Sequence, residues 1–578
     1  MYLRRINKWA SGKNHCYWAL VESRRTVQGP RQHVVCYLGD ADVREALEVQ
    51  RSVERVDSYQ CDFFEREELP ERLEINPRHI RTERIRDFGG VWVGLKLYEM
   101  LGLDRYFESK LSRGREWVEW SEVLKILVIS RFVDPRSELQ LAEHTFEDSA
   151  FEDLLGVPGR HINDDRLYRA LDVALPHKDG LSVHLKERLG ELFDIEFDLY
   201  LYDVTSTYFE GAYRDSGLAQ YGYSRDKRSD CKQVCIGLVV TREGLPLGYE
   251  VFAGNTHDGT TVEDIVETME ARYGKAMRVW VLDRGMTSPE NIEFLQSQGR
   301  RYIIGTPKSS LRKFEQYLVE KDWHEIRDGV EVKLCPSPDS TSEIFILCRS
   351  RDRALKEQAM HERFAKRIED GLERMRSTCQ RRKGKDITGI LERRIGRLLE
   401  KNSRAAALFD IETEYDVQLQ QTVLRHTKRE EYAEWASLSE GYYLLRTNIT
   451  DWTPQQLWEA YIHLTDAEYA FRIHKSDLKI RPIWHQKSER ILAHIFISFL
   501  SFVLWKTLGQ LCKSKGLGTE PRKVLEEIKQ VKLVDVILAT SQGREVRLRT
   551  IARPEKPTQL LLHKLGWHLP EALTKHKM

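Results

Sequence analysis

Tyr461, Leu464, Glu468, Arg472 and Lys475 fall at offsets of −7, −4, 0, +4 and +7 about Glu468, within the stretch YIHLTDAEYAFRIHKSDLKIRPIWH. At 3.6 residues per turn these offsets share one helical face. That face sets a carboxylate between a phenol and two cations. A solvated face with Arg472 pairing Glu468 at i,i+4 has the same pattern. The hard stop at Ile480-Arg481-Pro482 and the apolar run from Ile491 to Trp505 both weigh against it. Two aspartates upstream sit in strands instead. Asp203 interrupts FDLYLYDVTSTYFEG, where a carboxylate is costly unless it is paired or metal-bound. Its other reading is a strand-end aspartate that caps the next turn, with Thr205, Ser206 and Thr207 as partners. Asp283 closes the strand RVWVLD, just before Arg284-Gly285-Met286.

The elements that must position these carboxylates follow in a defined order. A strand with Asp203 comes first, then two β runs, CKQVCIGLVVT and GLPLGYEVFAG, joined by a glycine-containing turn. Thr261-x-x-Asp264 predicts a capping-box start for a helix through Arg272. The strand ending at Asp283, a helix over 289–297 and the strand RYIIGT complete the run. This layout resembles the RNase H-like fold, whose first and fourth strands are parallel neighbours. In that fold the two aspartates meet at the carboxyl side of the sheet, and a helical glutamate approaches from one face.

Together, the stretch around Glu468 and the two strand aspartates resemble bacterial DDE transposases of insertion sequences, in the superfamily marked by Tyr-x2-Arg-x3-Glu-x6-Lys. Tyr461, Glu468 and Lys475 match that spacing, and Leu464 stands where the family has arginine. The resemblance covers about 190–310 and 450–505. It implies that Asp203, Asp283 and Glu468 are the catalytic, metal-binding triad. It also implies that Tyr461 and Lys475 touch DNA phosphates, with Arg472 the best-placed substitute for the missing arginine. Three carboxylates with no His or Cys among them suit two Mg²⁺ ions, with Mn²⁺ able to substitute. Asp203 would bridge the ions, and Asp283 and Glu468 would hold one each. The implied activity is metal-dependent endonuclease nicking of DNA by water, followed by attack of the freed 3′-OH on target DNA. The implied partner is double-stranded DNA, both terminal inverted repeats and target, bound by a homodimer or larger assembly. Two alternatives remain open: an inactive transposase-derived DNA-binding protein, and an RNase H-like nuclease without strand transfer.

The rest of the chain bounds these readings. With 578 residues it predicts several domains. Lys and Arg number 91 against 90 Asp and Glu, so any DNA-binding surface must come from segregated basic patches. Nine cysteines without CxxC pairing fit a reducing cytosol and argue against structural zinc. Cys231 and Cys235 read as core thiols. The run from Ile491 to Trp505 is too short for a membrane span, so a cytoplasmic, nucleoid-associated protein is expected. No Walker-type loop or GxGxxG precedes a helix.

The expected fold class is α/β, an RNase H-like core interrupted by an insertion domain. An N-terminal β module with a helical domain precedes it, and a small C-terminal domain follows. The predicted bounds are 1–60 for the β module and 61–190 for a helical, DNA-end-binding domain. The core occupies 191–310 and 451–515, the insertion 311–450, and a C-terminal helix and hairpin 516–578. The basic N-terminal hairpin is either a DNA contact or a solvated domain. Residues 123–144 read as helix, Asp134-Pro135 break and a second helix capped by Ser137, either a helix-turn-helix or plain antiparallel packing. The charged helical region 351–404 is either an exposed arm or a path for a DNA backbone. Arg544, Arg547, Arg549 and Arg553 make the last strand and its exit basic, either for DNA or to protect an edge.

Overall fold

The structure is a computed structural model that describes residues 2–10, 13–26, 29–39, 61–62, 74–111, 114–211, 217–275, 278–382, 384–518, 520–540 and 545–570. The chain divides into two compact units, Met1–Phe193 with Ile473–Met578, and Asp194–Arg472.

The first unit opens on an antiparallel sheet of β1 (Tyr2–Ala10), β2 (Lys13–Thr26) and β3 (Gly29–Gly39). The predicted run YWALVES is the centre of β2, and HVVCYLG is the C-terminal part of β3. Two further strands, β4 (Cys61–Asp62) and β5 (Arg81–Asp87), precede the helices. Helix Trp120–Val133 is almost wholly buried and packs on Gly89–Met100 and Asp164–Ala174. Ser137 caps the next element as expected, accepting the Gln140 amide. That element is only Glu138–Gln140, running into a π-wound turn at Leu141–Thr145. The predicted second helix is therefore about two turns long.

The second unit is built on one nine-stranded sheet. Its members are β6 (Leu199–Tyr208), β7 (Gln233–Val240), β8 (Pro246–Ala253), β9 (Val279–Leu282) and β10 (Arg301–Gly305). The others are β11 (His324–Arg327), β12 (Val330–Pro336), β13 (Ile344–Ser350) and, after the two-stranded sheet of β14 (Phe409–Asp416) and β15 (Gln421–Lys428), β16 (Tyr442–Thr447). The order is β11-β12-β13-β16-β10-β9-β6-β7-β8. β6 runs parallel to β9, and β9 to β10, while β6, β7 and β8 are antiparallel. The expected α/β architecture, with its first and fourth core strands as parallel neighbours, is present.

Burial explains the composition of these strands. β7 is buried along its whole length, and β6 everywhere except Asp203 and Tyr208, so both read as continuous apolar runs. One face of the sheet is closed by helices Val262–Tyr273 and Pro289–Ser297, which pack Ile265, Val266, Met269, Ile292 and Leu295 against Tyr200, Tyr202, Val204, Trp280 and Leu282. Thr261 does not form the predicted capping box. Its hydroxyl instead accepts from Tyr202 at 2.7 Å and donates to the Asp258 carbonyl at 2.7 Å. Cys235 is a buried core thiol. Cys231 is not: it precedes β7, half-buried beside Arg228.

Within 311–450, β11, β12 and β13 join the main sheet through β16. Helices Arg351–Arg381 and Thr388–Lys401 and the sheet of β14 and β15 form a separate core around Ile368, Leu372, Leu391 and Phe409.

The chain then returns to the first unit. Helix Ser488–Ser514 is long and apolar enough to cross a membrane, which the predicted run from Ile491 to Trp505 was too short to do. Yet 89% of its apolar window is buried, and it packs on Trp120–Val133 and Asp164–Ala174. The final strands, β17 (Lys532–Ala539) and β18 (Glu545–Ile551), form a sheet ordered β4-β18-β17-β5. β18 pairs with β17 along its length and with β4 only at Glu545 and Val546. Arg549 pairs with Asp535 at 2.9 Å and Asp153 at 2.6 Å, and Arg547 with Glu83 at 3.4 Å. These two basic side chains are neutralised internally; Arg544 lies outside the described residues.

Glu343, just ahead of β13, is buried and ties three strands together. Arg446 of β16 grips its carboxylate with two bonds of 2.6 and 2.5 Å, and the Tyr302 hydroxyl of β10 donates to it. Removing the guanidinium strands a buried charge, which costs about 3–5 kcal/mol. Arg446→Ala is expected to lower the urea unfolding midpoint accordingly. The double change Glu343→Leu with Arg446→Met should recover much of that loss, because a neutral pair needs no compensation. Equal midpoints for wild type and Arg446→Ala would show that the pair stabilises nothing.

Candidate active site

The parallel pairing of β6 with β9 runs from Leu199↔Val279 to Tyr202↔Leu282. The next residue on each strand is an aspartate. Asp203 continues within β6, five residues short of its end, while Asp283 caps the short turn Arg284–Met286. The turn-capping alternative for Asp203 therefore fails; its Oδ1 accepts the amide of Val204 at 2.7 Å. Side chains alternate along strands. Tyr202, Val204 and Leu282 face the helical core, so both aspartates face the opposite side of the sheet.

On that opposite side lies helix Leu464–Arg472, packed on β6 and β7. Leu464, Ala467, Ala470 and Phe471 form its buried stripe, and the two alanines let its backbone come close to the strands. Glu468 stands at the edge of that stripe. Its carboxyl is raised above the ordinary value by partial burial and then by Asp283. Asp203 is pushed up to about 7, first by burial and also by Asp283 and Glu468. The Val204 amide and Arg225 act against that rise. Three carboxylates separated by most of the unit's sequence thus share one neighbourhood.

The single helical face expected around Glu468 is not formed. The first segment, Pro454–Ile462, starts at a Thr453–Gln456 capping box and ends at His463. The second covers Leu464–Arg472, and Ile473–Asp477 is π-wound. Each change of winding re-phases the side chains, which separates Tyr461 and Lys475 from the face of the middle segment. Within that segment Leu464 is buried whereas Glu468 and Arg472 are exposed. Tyr461 belongs to the first segment. A Cβ on Gly305 would lie 2.4 Å from the Tyr461 hydroxyl, so the absence of a side chain there makes room for the ring tip. Burial, followed by Asp283, raises the Tyr461 pKa well above the ordinary phenol value. The Arg472 guanidinium lies 4.6 Å from the Tyr469 ring centroid and forms no ion pair with Glu468. The i,i+4 pairing is thus absent. Lys475 falls in the π-wound turn and belongs to the first unit.

Several residues that the sequence did not flag support the carboxylates. Arg225 donates to the Val204 carbonyl and to Asp258, and its amide donates to the Ser206 hydroxyl at 3.3 Å. It is the cation that partly offsets Asp203. Asn291 donates to the carbonyls of Gly259 at 2.8 Å and Met286 at 2.9 Å, locking the turn that carries Asp258 to the turn that follows Asp283. Neither residue carries a motif by which sequence alone would find it; each acts through a backbone carbonyl brought near by folding.

A second cluster, in the first unit, combines Glu138, His485 and His494. The His485 Nε2 is 3.5 Å and the His494 Nδ1 3.7 Å from Glu138 Oε1. Arg131 already fills the remaining side, 3.6 Å from the carboxylate and 3.4 Å from His494. Burial acts to raise Glu138, but hydrogen bonds from both histidines hold it well below its usual range. The guanidinium balances the charge of this cluster. Among the described residues no equivalent cation balances the three carboxylates of the second unit, where Arg225 is shared with Asp258. An all-oxygen donor set in charge excess fits hard divalent ions.

Residues 198–504 match the family model described as the transposase DDE domain, over half of the chain. The chain belongs to the DDE transposase family. Among solved structures, this transposase aligns with the cryo-EM structure of the piggyBac transposase synaptic complex with hairpin DNA. The alignment covers 79% of this chain and 82% of that one, at 9% identity and a TM-score of 0.35, too slight a likeness to argue from. No curated protein matches the transposase.

The raised pKa of Asp203 has a measurable consequence. Unfolded aspartate titrates near ~3.9, so between about pH 4 and 7 the metal-free folded protein holds a proton that the unfolded chain has lost. Its stability falls as pH rises through that window. Asp203→Asn removes this contribution, so in EDTA its melting temperature at pH 7.5 should exceed that of wild type by roughly 2–4 °C or more, with the gap closing at pH 5. Adding Mg²⁺ should raise the wild-type melting temperature and leave the variant nearly unmoved. Parallel melts at pH 5 and 7.5 that show no such gap would contradict the site's electrostatics.

Proposed function

We propose that this transposase binds double-stranded DNA at the ends of its own element, an insertion sequence, nicks it by metal-dependent hydrolysis and joins the freed 3′-OH to target DNA. The proposal is supported by Asp203 and Asp283 following the last parallel pair of β6 and β9, and by the influence of Asp283 on both Asp203 and Glu468. The family match supports the same chemistry.

Asp203, Asp283 and Glu468 would hold two Mg²⁺ ions. When bound, such ions activate the attacking water or 3′-OH and stabilise the leaving oxygen. The protein's own part is geometric and electrostatic. β6 and β9 hold two carboxylates rigidly, the helix brings the third, and Arg225 limits their mutual repulsion. Tyr461, with its hydroxyl over Gly305 near Asp283, is assigned to a phosphate beside the scissile bond. Arg472 is assigned to the same strand of DNA, and Lys475, in the first unit, to a DNA phosphate. Arg472 is suited to this because its guanidinium is exposed and stacked on Tyr469 without a carboxylate partner among the described residues.

Asp203→Asn, Asp283→Asn and Glu468→Gln are each expected to reduce Mg²⁺-dependent nicking to background while end binding in a gel shift changes by less than about threefold, since affinity comes from basic surfaces. Arg472→Ala should cut the nicking rate at saturating DNA about tenfold with unchanged Mg²⁺ dependence. Strand transfer from a pre-cleaved end separates a transposase from a nuclease that only cuts. Wild-type nicking by any of the three carboxylate variants would remove that residue from the site.

A further inference from the structure

Beside the carboxylates, the segment 217–224 runs extended along the sheet and pairs once with it, at Gln220↔Gln233. It contains Tyr221-Gly222-Tyr223. A Cβ on Gly222 would lie 2.1 Å from the Gly254 carbonyl oxygen, and one on Gly254 would lie 2.0 Å from that of Gln233. The two glycines therefore allow backbone to press on backbone. Because side chains alternate along an extended segment, seating Gly222 inward turns both of its neighbours outward. Tyr221 is 62% and Tyr223 89% exposed.

The backbone under these rings is held firmly. The buried Gln233 amide donates to the Tyr223 carbonyl at 3.1 Å and the Gly254 carbonyl at 2.8 Å. Two residues on, Arg225 bonds the carbonyl of Val204, the residue after Asp203. Tyr223 is within about 7 Å of the backbone of Arg225, whose amide donates to the Ser206 hydroxyl at 3.3 Å. The hydroxyls of Tyr221 and Tyr223 form no hydrogen bond among the described residues. Two bare rings side by side on a rigid strut, next to acidic residues that act on a phosphodiester, have the properties of a stacking platform. Aromatic rings take any base by its π-face.

We propose that Tyr221 and Tyr223 form a base-stacking platform that holds the unpaired or unstacked nucleotides flanking the scissile phosphate. The inference rests on the DNA-cleaving reading of the carboxylate site. Tyr223 is the principal contact and Tyr221 extends it by one ring. The platform grips bases by their faces, so it is indifferent to their sequence. It is most effective where the helix is already interrupted at a nick.

The test uses the full chain and a nicked duplex taken from the DNA that flanks the coding region, with 2-aminopurine at the bases on either side of the nick. In the Asp203→Asn background, binding should change the probe's emission, and adding Tyr223→Ala should abolish that change. In the active protein Tyr223→Ala should slow cleavage at saturating DNA about tenfold or more, and Tyr223→Phe or Tyr223→Trp should restore it to within about threefold. An unchanged emission response and cleavage rate in Tyr223→Ala would overturn the proposal. So would rescue by neither ring, or loss of self-association by Tyr223→Ala with the emission response intact, which would assign the rings to a subunit contact. Wild-type cleavage by Asp203→Asn would instead overturn the carboxylate site on which the platform rests, so the two failures are distinguishable.

Discussion

Everything at the candidate site depends on where the parallel ladder between β6 and β9 stops. While the strands are paired, their side chains are committed to the two faces of a buried sheet. One residue after Tyr202↔Leu282 the pairing ends, and both chains place an aspartate at that point. The gap that opens where parallel strands part is a general place for ligands in α/β sheets, because main-chain groups and side chains there are no longer taken up by pairing. Here that geometry also creates the electrostatic problem that defines the site. Burial, and after it the charges of Asp283 and Glu468, raise Asp203, and burial followed by Asp283 raises Glu468.

The surrounding structure limits this repulsion without removing it. Arg225 reaches across to the Val204 carbonyl but divides its charge with Asp258. Asn291 and Thr261 hold neighbouring turns by hydrogen bonds to carbonyls. All of these are neutral bonds or shared cations, so a charge deficit persists that a divalent ion can fill. The first unit follows the opposite course. Asp535 is met by Arg86 and Arg549, and Glu138 by Arg131 and two histidines. Charges buried for stability are matched one against another there, and the contrast separates a structural cluster from a site with work left for a ligand.

The outer shell of the site combines rigidity with exposure. Gly222 and Gly254 remove the side chains that would hold two backbones apart, and Gly305 makes room for the Tyr461 hydroxyl. In each case an aromatic ring is aimed by a glycine that it does not itself touch, or touches only at its tip. Leu464 has a different role from the one its spacing suggested. It packs into the core as part of the apolar stripe it forms with Ala467, Ala470 and Phe471, so it does not stand where a phosphate-binding arginine would need to be.

The amino-acid sequence by itself determined the strand and helix order of the second unit, the two strand aspartates and Glu468. These follow from local periodicity: alternating or continuous apolar runs for strands, and an apolar stripe spaced by three and four for the helix. Family membership followed from the same residues. Only the tertiary structure decided which charges are left over. It neutralised Arg547 and Arg549 against Glu83, Asp535 and Asp153, separated Arg472 from Glu468, and brought Arg225 to the strand that carries Asp203. It also re-phased the helix at His463 and drew β11, β12 and β13 into the main sheet. Periodicity is a property of neighbours along the chain and can be read there. Pairing of charges and packing of backbones depend on residues far apart in sequence, and their outcome exists only once folding has set the distances between them.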